Sequence, residues 1–244
     1  ETTGIDRRID HIIEIAVKVL CFETSSGKIL SVEGSYESFN DPEEDISTEI
    51  TLLTGIENKM VDGKFIDWNE VDALFQGVDI IIAHNASFDR AFIDRFSSNS
   101  PSKIWACSIS DIDWLKRGFT SSKQELLCYW HGFYFDAHRA MNDVDALIHL
   151  LTFDTGLERP LLELIKNSNK SEFVIYAEHF KYDPVKKDIL KGNKYRWNPN
   201  DKIWFKKVNL DELEHEKDWL TATIYDQVFK GRVEEIIPSN KYKL

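Results

Sequence analysis

The stretch 79–83 (DIIIA) narrows the fold more than any other part of this chain. Its apolar run is too short for a helix and too continuous for a strand with one wet face. It therefore reads as a strand buried on both sides, as in a sheet covered by helices. Directly after it the period changes. Phe88, Phe92, Ile93 and Phe96 recur at helical spacing over 86–96. A buried strand running into a helix is the building unit of an α/β fold.

The neighbouring segments agree with that class. Residues 12–22 (IIEIAVKVLCF) and 29–39 read as strands joined by the turn Ser25-Ser26-Gly27-Lys28, which makes an antiparallel hairpin. A short helix over 47–53 opens on Ser or Thr and stops at Gly55, and a second covers 68–76. A strand is expected at 103–109 and helices near 110–117, 122–131 and 139–153. Asp111 and Asp113 fall at a helix start, and Val144, Leu147, Ile148 and Leu151 share one side of the last helix. The expectation is an α/β fold: a mixed sheet with helices on both faces over 1–154. After a linker at 154–160 (DTGLERP), residues 155–244 read as a small α+β domain. It has a helix near 160–167, a strand at 173–177, a basic aromatic-rich stretch and a helix near 211–229.

Charge divides the same way. The net charge is −12, which on its own argues against a nucleic-acid binder. Yet 1–154 holds 13 Lys+Arg against 27 Asp+Glu, whereas 155–244 holds 17 against 15. Within 181–207 nine bases face three acids, and local charge decides whether a surface holds a phosphate backbone. No apolar run approaches the roughly 20 residues of a membrane span. The three cysteines fit no metal or redox spacing. Without a secretory signal, a reducing, cytoplasmic setting is expected.

Three separated segments carry chemistry. They are Glu1-Thr2-Thr3-Gly4 with the downstream IIEIA, then His84-Asn85-Ala86-Ser87-Phe88-Asp89, then His138-Arg139-Ala140-Met141-Asn142-Asp143. Asp89 lies just past a buried strand, where α/β folds place ligands. His138 and Asp143, at the start of the 139–153 helix, can reach the same cleft. A carboxylate at a helix start is also favoured by the helix dipole alone, but converging carboxylates repel one another unless a cation neutralises them. Hard oxygen donors suit Mg²⁺ or Mn²⁺, and two such ions about 4 Å apart clamp an in-line phosphoryl displacement. A histidine with an ordinary pKa near 6.5 can take a proton from the attacking water.

These segments resemble the three motifs of the DEDDh family of 3'→5' exonucleases, which includes proofreading subunits of bacterial replicative DNA polymerases. Glu1-Thr2-Thr3-Gly4 matches the end of D-x-E-T-T-G, Asp89 matches the second-motif aspartate, and His138 with Asp143 matches H-x4-D. The resemblance covers roughly 1–153. It implies a ribonuclease-H-like fold, two Mg²⁺ or Mn²⁺ ions on Glu1, Asp89 and Asp143, and His138 as general base. It also implies substrate contacts from Thr2, Thr3, Gly4, His84, Asn85 and Phe88. The family's leading aspartate would stand two positions ahead of Glu1, with a strand before it. The chain is therefore expected to be part of a longer one, with a sheet short of its central strand and activity that depends on that aspartate.

The expected partner is the 3' end of single-stranded DNA, with RNA the other candidate, a polymerase as a protein partner, and no membrane. Lys194, Arg196, Trp197, Trp204 and Lys206 form a candidate nucleic-acid surface, because lysines there alternate with aromatics. The turn Asn198-Pro199-Asn200-Asp201 suggests a hairpin in which Trp197 and Trp204 are a cross-strand pair; in a small sheet domain the same aromatics could be core. The alternative function is a binding module that keeps the fold without the catalysis.

Overall fold

A computed structural model describes residues 1–153, 156, 158–225 and 227–243. The chain divides into two compact units, Glu1–Ser168 with Tyr242–Leu244, and Asn169–Lys241. Mixed α/β structure was expected and is found.

In the first unit, β1 (Glu14–Phe22) pairs antiparallel with β2 (Ile29–Phe39), and Gly27 takes the positive φ that closes the turn. Ser47 caps α1 (Thr48–Thr54) by accepting from the Ile50 N–H, and Gly55 ends it in the left-handed region, the helix signals anticipated above. After α2 (Asn58–Val61) comes α3 (Trp68–Gln76), capped by the Asp67 carboxylate on the Asn69 and Glu70 N–H groups. The DIIIA run is β3 (Ile80–Ala83), parallel to β4 (Ile104–Cys107), with α4 (Ala86–Ile93) between them. α5 (Gln124–Trp130), α6 (Ala140–Thr152) and α7 (Pro160–Ser168) complete the unit.

The structure departs from the sequence expectations in several places. The mixed sheet appears as two two-stranded sheets, one antiparallel and one parallel. Among the described residues no strand lies between β1 and β3 to join them. A short segment at Glu1–Thr3 does run along the start of β1: Thr2 bridges Ile12, and the Glu1 carbonyl accepts from the Ile13 N–H at 2.9 Å. The boundary between units falls after Ser168 and not near 154, because Leu161 and Leu164 of α7 pack with Leu127, Leu147, Leu150 and Leu151. The helix expected over 110–117 is a series of turns. Asp111 is buried, and its carboxylate accepts from the Cys107 N–H at 2.8 Å and the Tyr242 hydroxyl at 2.8 Å. A carboxylate used that way does not start a helix.

His131 and His149 lie in apolar surroundings. His131 stacks on Phe153 at 3.9 Å between ring centroids and His149 on Phe133 at 4.5 Å. Among the described residues, both ring nitrogens of His131 and Nε2 of His149 are buried with no hydrogen-bond partner. Burial lowers both pKa values, so the rings are held neutral.

The second unit is a four-stranded antiparallel sheet in the order β6 (Arg196–Asn198), β7 (Ile203–Asn209), β5 (Glu172–Ala177), β8 (Arg232–Ile236). α8 (Pro184–Gly192) and α9 (Leu210–Thr223) supply Leu190 and Leu220 to a core with Ile175, Ala177, Trp204 and Val208. The expected pair is present: Trp197 stands opposite Trp204, with centroids 5.4 Å apart. No helix among the described residues is long and apolar enough to cross a membrane.

Candidate active site

The site is built by three elements whose ends converge. Asp89 lies in the first turn of α4, just past β3. Asp143 lies in the first turn of α6, and Glu1 is fixed against β1 by its backbone bonds to Ile13 and Glu14. Their fields overlap. Burial raises the Asp89 pKa to about 6, with Glu1 and Asp143 adding repulsion. Burial raises Asp143 to about 6 as well, Glu1 repels it further, and His138 pulls it back through its charge and its backbone N–H. Carboxylates that raise one another's pKa stand close together in a poorly hydrated place. Among the described residues, however, no three His, Cys, Asp or Glu side chains are gathered closely enough to form a ready-made ion cage. What fits a divalent cation is the donor set: hard, half-desolvated carboxylates whose repulsion a cation relieves.

His138 occupies a loop position with φ 65° just ahead of α6. Its ring is half-exposed, with Nε2 3.6 Å from Glu125 Oε1 at the start of α5. The other expected residues serve varied roles. The Thr3 hydroxyl accepts from the His11 N–H at 3.0 Å, and the Thr2 hydroxyl donates to the Gly4 carbonyl at 2.6 Å. Gly4 is packed closely on Asp10: a Cβ there would fall 2.5 Å from Oδ2 and displace the Asp10 carboxylate. These groups hold the loop. Asn85 is exposed with φ 78° at the start of α4, and Phe88 packs on Phe92 at 5.0 Å beside the groove that includes Ile5 and Arg7.

His84 is also tied from within the protein. Its Nδ1 is 2.6 Å from the Ser108 hydroxyl, and Ser122 backbone also bonds it. Burial lowers its pKa to about 4, so it is a neutral tie beneath the site. Asp145, two positions after Asp143 on α6, points elsewhere and pairs with Lys18 of β1.

Sequence reading missed Glu14. It is 1% exposed inside the IIEIA run, and its carboxylate accepts from Arg139 Nη2 at 2.8 Å and from the Ala140 N–H at 2.9 Å. It therefore caps α6 and clamps the residue next to His138. The signal was available: a lone acid at a position where the alternation demands an apolar side chain is a buried charge in need of a partner.

The candidate nucleic-acid surface needs correction. Trp204 is 7% exposed and belongs to the core. Lys206 is tied to Glu216 of α9 at 2.6 Å and to Asn193 at 3.3 Å. Alternation along β7 points both toward the helices, and neither can meet a strand of nucleic acid. Lys194, Arg196 and Trp197 are exposed.

Comparison with known proteins fits this geometry. The family model described as Exonuclease matches residues 1–151. The chain belongs to the exonuclease family. Among curated relatives, DNA polymerase III PolC-type of Thermotoga maritima is 34% identical over 118 residues, covering 47% of this chain and 7% of the relative. That of Staphylococcus saprophyticus is 42% identical over 101 residues, covering 38% and 6%. The chain thus spans only a small part of the relatives it matches. Among solved structures, exonuclease I in complex with an inhibitor is 16% identical with a TM-score of 0.54, covering 100% of this chain and 62% of that one. A complex of E. coli exonuclease I with a dA16 oligonucleotide gives 0.52 at 16% identity, covering 98% and 62%. These share the ribonuclease-H-like exonuclease fold.

Proposed function

We propose that this exonuclease hydrolyses phosphodiester bonds from the 3' end of single-stranded DNA and releases nucleoside monophosphates. The observation that carries the reading is that Glu1, Asp89 and Asp143 come from distant segments to one place, where burial and the charge of Glu1 raise the proton affinity of both aspartates. Together with an aspartate two positions ahead of Glu1, they would hold two Mg²⁺ or Mn²⁺ ions. Bound there, such ions supply charge neutralisation for the attacking and leaving oxygens. The protein's own groups do the rest. His138 takes the proton of the attacking water, and its half-exposed ring permits that proton to leave to solvent. The loop Thr2-Thr3-Gly4 offers backbone to the terminal nucleotide, and the Phe88 ring flanks it. Glu14, through Arg139 and the Ala140 N–H, sets the position of the loop that bears His138. DNA is preferred because a solved structural neighbour holds a DNA oligonucleotide, and the PolC-type relatives make a DNA polymerase the partner class we propose.

The test is digestion of a 5'-labelled oligonucleotide by the protein carrying the residues encoded ahead of Glu1. The expected result is a ladder shortened from the 3' end in Mg²⁺ or Mn²⁺ and intact substrate in chelator. His138→Ala and Asp143→Ala should each lower kcat by about 10²–10⁴. Shortening from the 5' end, indifference to chelator, or full activity in either variant overturns the reading.

A further inference from the structure

The sheet face of the second unit that lies away from α8 and α9 carries one row of side chains across all four strands. Arg196 on β6 stands opposite Phe205 on β7, Phe205 opposite Tyr176 on β5, and Tyr176 opposite Arg232 on β8. Successive side chains along a strand face opposite ways. Accordingly, the flanking Ile175, Ala177, Trp204 and Val233 belong to the core, while none of these four does. The Tyr176 and Phe205 rings lie 6.5 Å apart and tilted by 39°. The Arg232 guanidinium lies 3.9 Å from the Tyr176 ring centroid. It is held there by Glu234 Oε2 at 3.1 Å and Glu178 Oε1 at 3.7 Å. The Tyr176 hydroxyl donates to the same Glu234 oxygen at 3.1 Å.

Charge is unevenly spread along this row. The acids that balance Arg232 sit at the β8 side. At the β6–β7 side, Arg196, Lys194 and Lys202 are exposed, and Lys207 follows Phe205 by two positions on the same face. Half-buried rings beside a fixed guanidinium offer flat surfaces to any base, and cations along one margin match a phosphate backbone that runs past them.

We propose that the row Arg196–Phe205–Tyr176–Arg232 is a stacking platform for single-stranded nucleic acid. One base lies on the Phe205 ring, its neighbour on the Arg232 plane, and the phosphates lie toward Arg196, Lys194 and Lys202. The inference rests on nucleic acid being the substrate of the first unit, and it places a second contact on the Arg196 and Phe205 face of β6 and β7, opposite to Trp197 and Trp204.

Fluorescence anisotropy of a labelled (dT)15 oligonucleotide with the full chain in chelator tests the platform without requiring cleavage. Phe205→Leu, which keeps apolar bulk but no ring, should weaken binding about ten- to a hundredfold. Phe205→Trp should restore it, and Arg196→Ala should flatten the salt dependence of Kd. Circular dichroism melts identify any variant that has not folded, and the Arg196 and Phe205→Trp measurements decide the matter if Phe205→Leu has not. Equal Kd for the wild type, Phe205→Leu and Arg196→Ala overturns the platform. So does a loss confined to Trp197→Ala, which would put the strand on the other face. Metal-dependent cleavage alongside such a result leaves the exonuclease reading standing; Phe205-dependent binding without cleavage supports the platform and counts against that reading alone.

Discussion

Each unit sets a nearly inaccessible glutamate against a cation, and the two pairs are used differently. In the first unit Glu14 of β1 meets Arg139, and it also accepts the Ala140 N–H at the start of α6. In the second, Glu216 of α9 meets Lys206 of β7 at 2.6 Å and the Asn193 side chain at 2.8 Å. Both carboxylates are nearly inaccessible, at 1% and 6% exposure. The difference lies in the third partner. Glu14 holds a backbone group of the segment that delivers His138 and Asp143, whereas Glu216 holds only side chains that fill the space beneath a hairpin. One buried charge positions chemistry; the other completes packing.

Removing single partners tests this most severely. Glu14→Ala and Glu216→Ala should each destabilise by about 2–3 kcal/mol in urea unfolding, because each leaves a partly buried cation and its neighbouring donor without an acceptor. Cleavage per folded molecule should then fall for Glu14→Ala and persist for Glu216→Ala. Equal residual activity in the two would erase the distinction. Next in size is the paired replacement. Glu216→Leu with Lys206→Met should leave stability within about 1 kcal/mol of the parent or raise it. Glu14→Leu with Arg139→Met should still cost about 1–3 kcal/mol, since the Ala140 N–H loses its acceptor. Double-mutant urea curves would show whether that asymmetry exists.

The acidic cluster gives a smaller effect whose sign is informative. Asp89 and Asp143 have folded-state pKa values of about 6 against an ordinary 3.8. The folded protein thus binds more protons than the unfolded chain between pH 4 and 6. The stability these groups lend is complete below pH 4 and lost as the pH rises through 6. Asp143→Asn should therefore stabilise the chelated protein at pH 8 by on the order of 1 kcal/mol, and not at pH 4. Added Mg²⁺ should raise the melting temperature of the parent more than that of the variant. A variant less stable than the parent at pH 8 in chelator would mean the carboxylates do not repel. The smallest expected change is Trp197→Ala. At 46% exposure, this half of the tryptophan pair should cost less than about 1 kcal/mol in thermal unfolding.

Much of the first unit was legible because its signals are local. The DIIIA run, the Ser47 cap, Gly55 and the helix at 68–76 depend on residues within a few positions of one another. So did the motif residues Asp89 and Asp143, whose convergence follows once a buried strand and a helix start are in place. The failures came from partners distant in sequence. Asp111 looked like a helix start, but Tyr242 takes its carboxylate. Glu14 sat inside an apolar strand, and only Arg139 explains it. The strand β8 (Arg232–Ile236, RVEEI) has too few apolar residues to be noticed, because it is an edge strand that buries one side. In β7 the alternation was visible, but not which parity faces the helices. The sequence reading therefore chose Trp204 and Lys206 where the structure exposes Phe205.

The histidine–phenylalanine stack around His131 and His149 gives the first unit a weak point toward acid. The unfolded chain takes up protons on these imidazoles near pH 6.5, and the folded one resists, so the stability they lend is complete above that value and declines below it. His131 follows the end of α5 and His149 lies in the last turn of α6, whose other end carries Asp143. In mildly acidic solution this corner should be the first to exchange its amide hydrogens, by local opening while the rest of the molecule stays closed. The loosening would travel along one helix toward the end that carries Asp143. Mild acid would then act on the first unit twice, by fraying this corner and by protonating Asp89 and Asp143, whose pKa values lie at about 6.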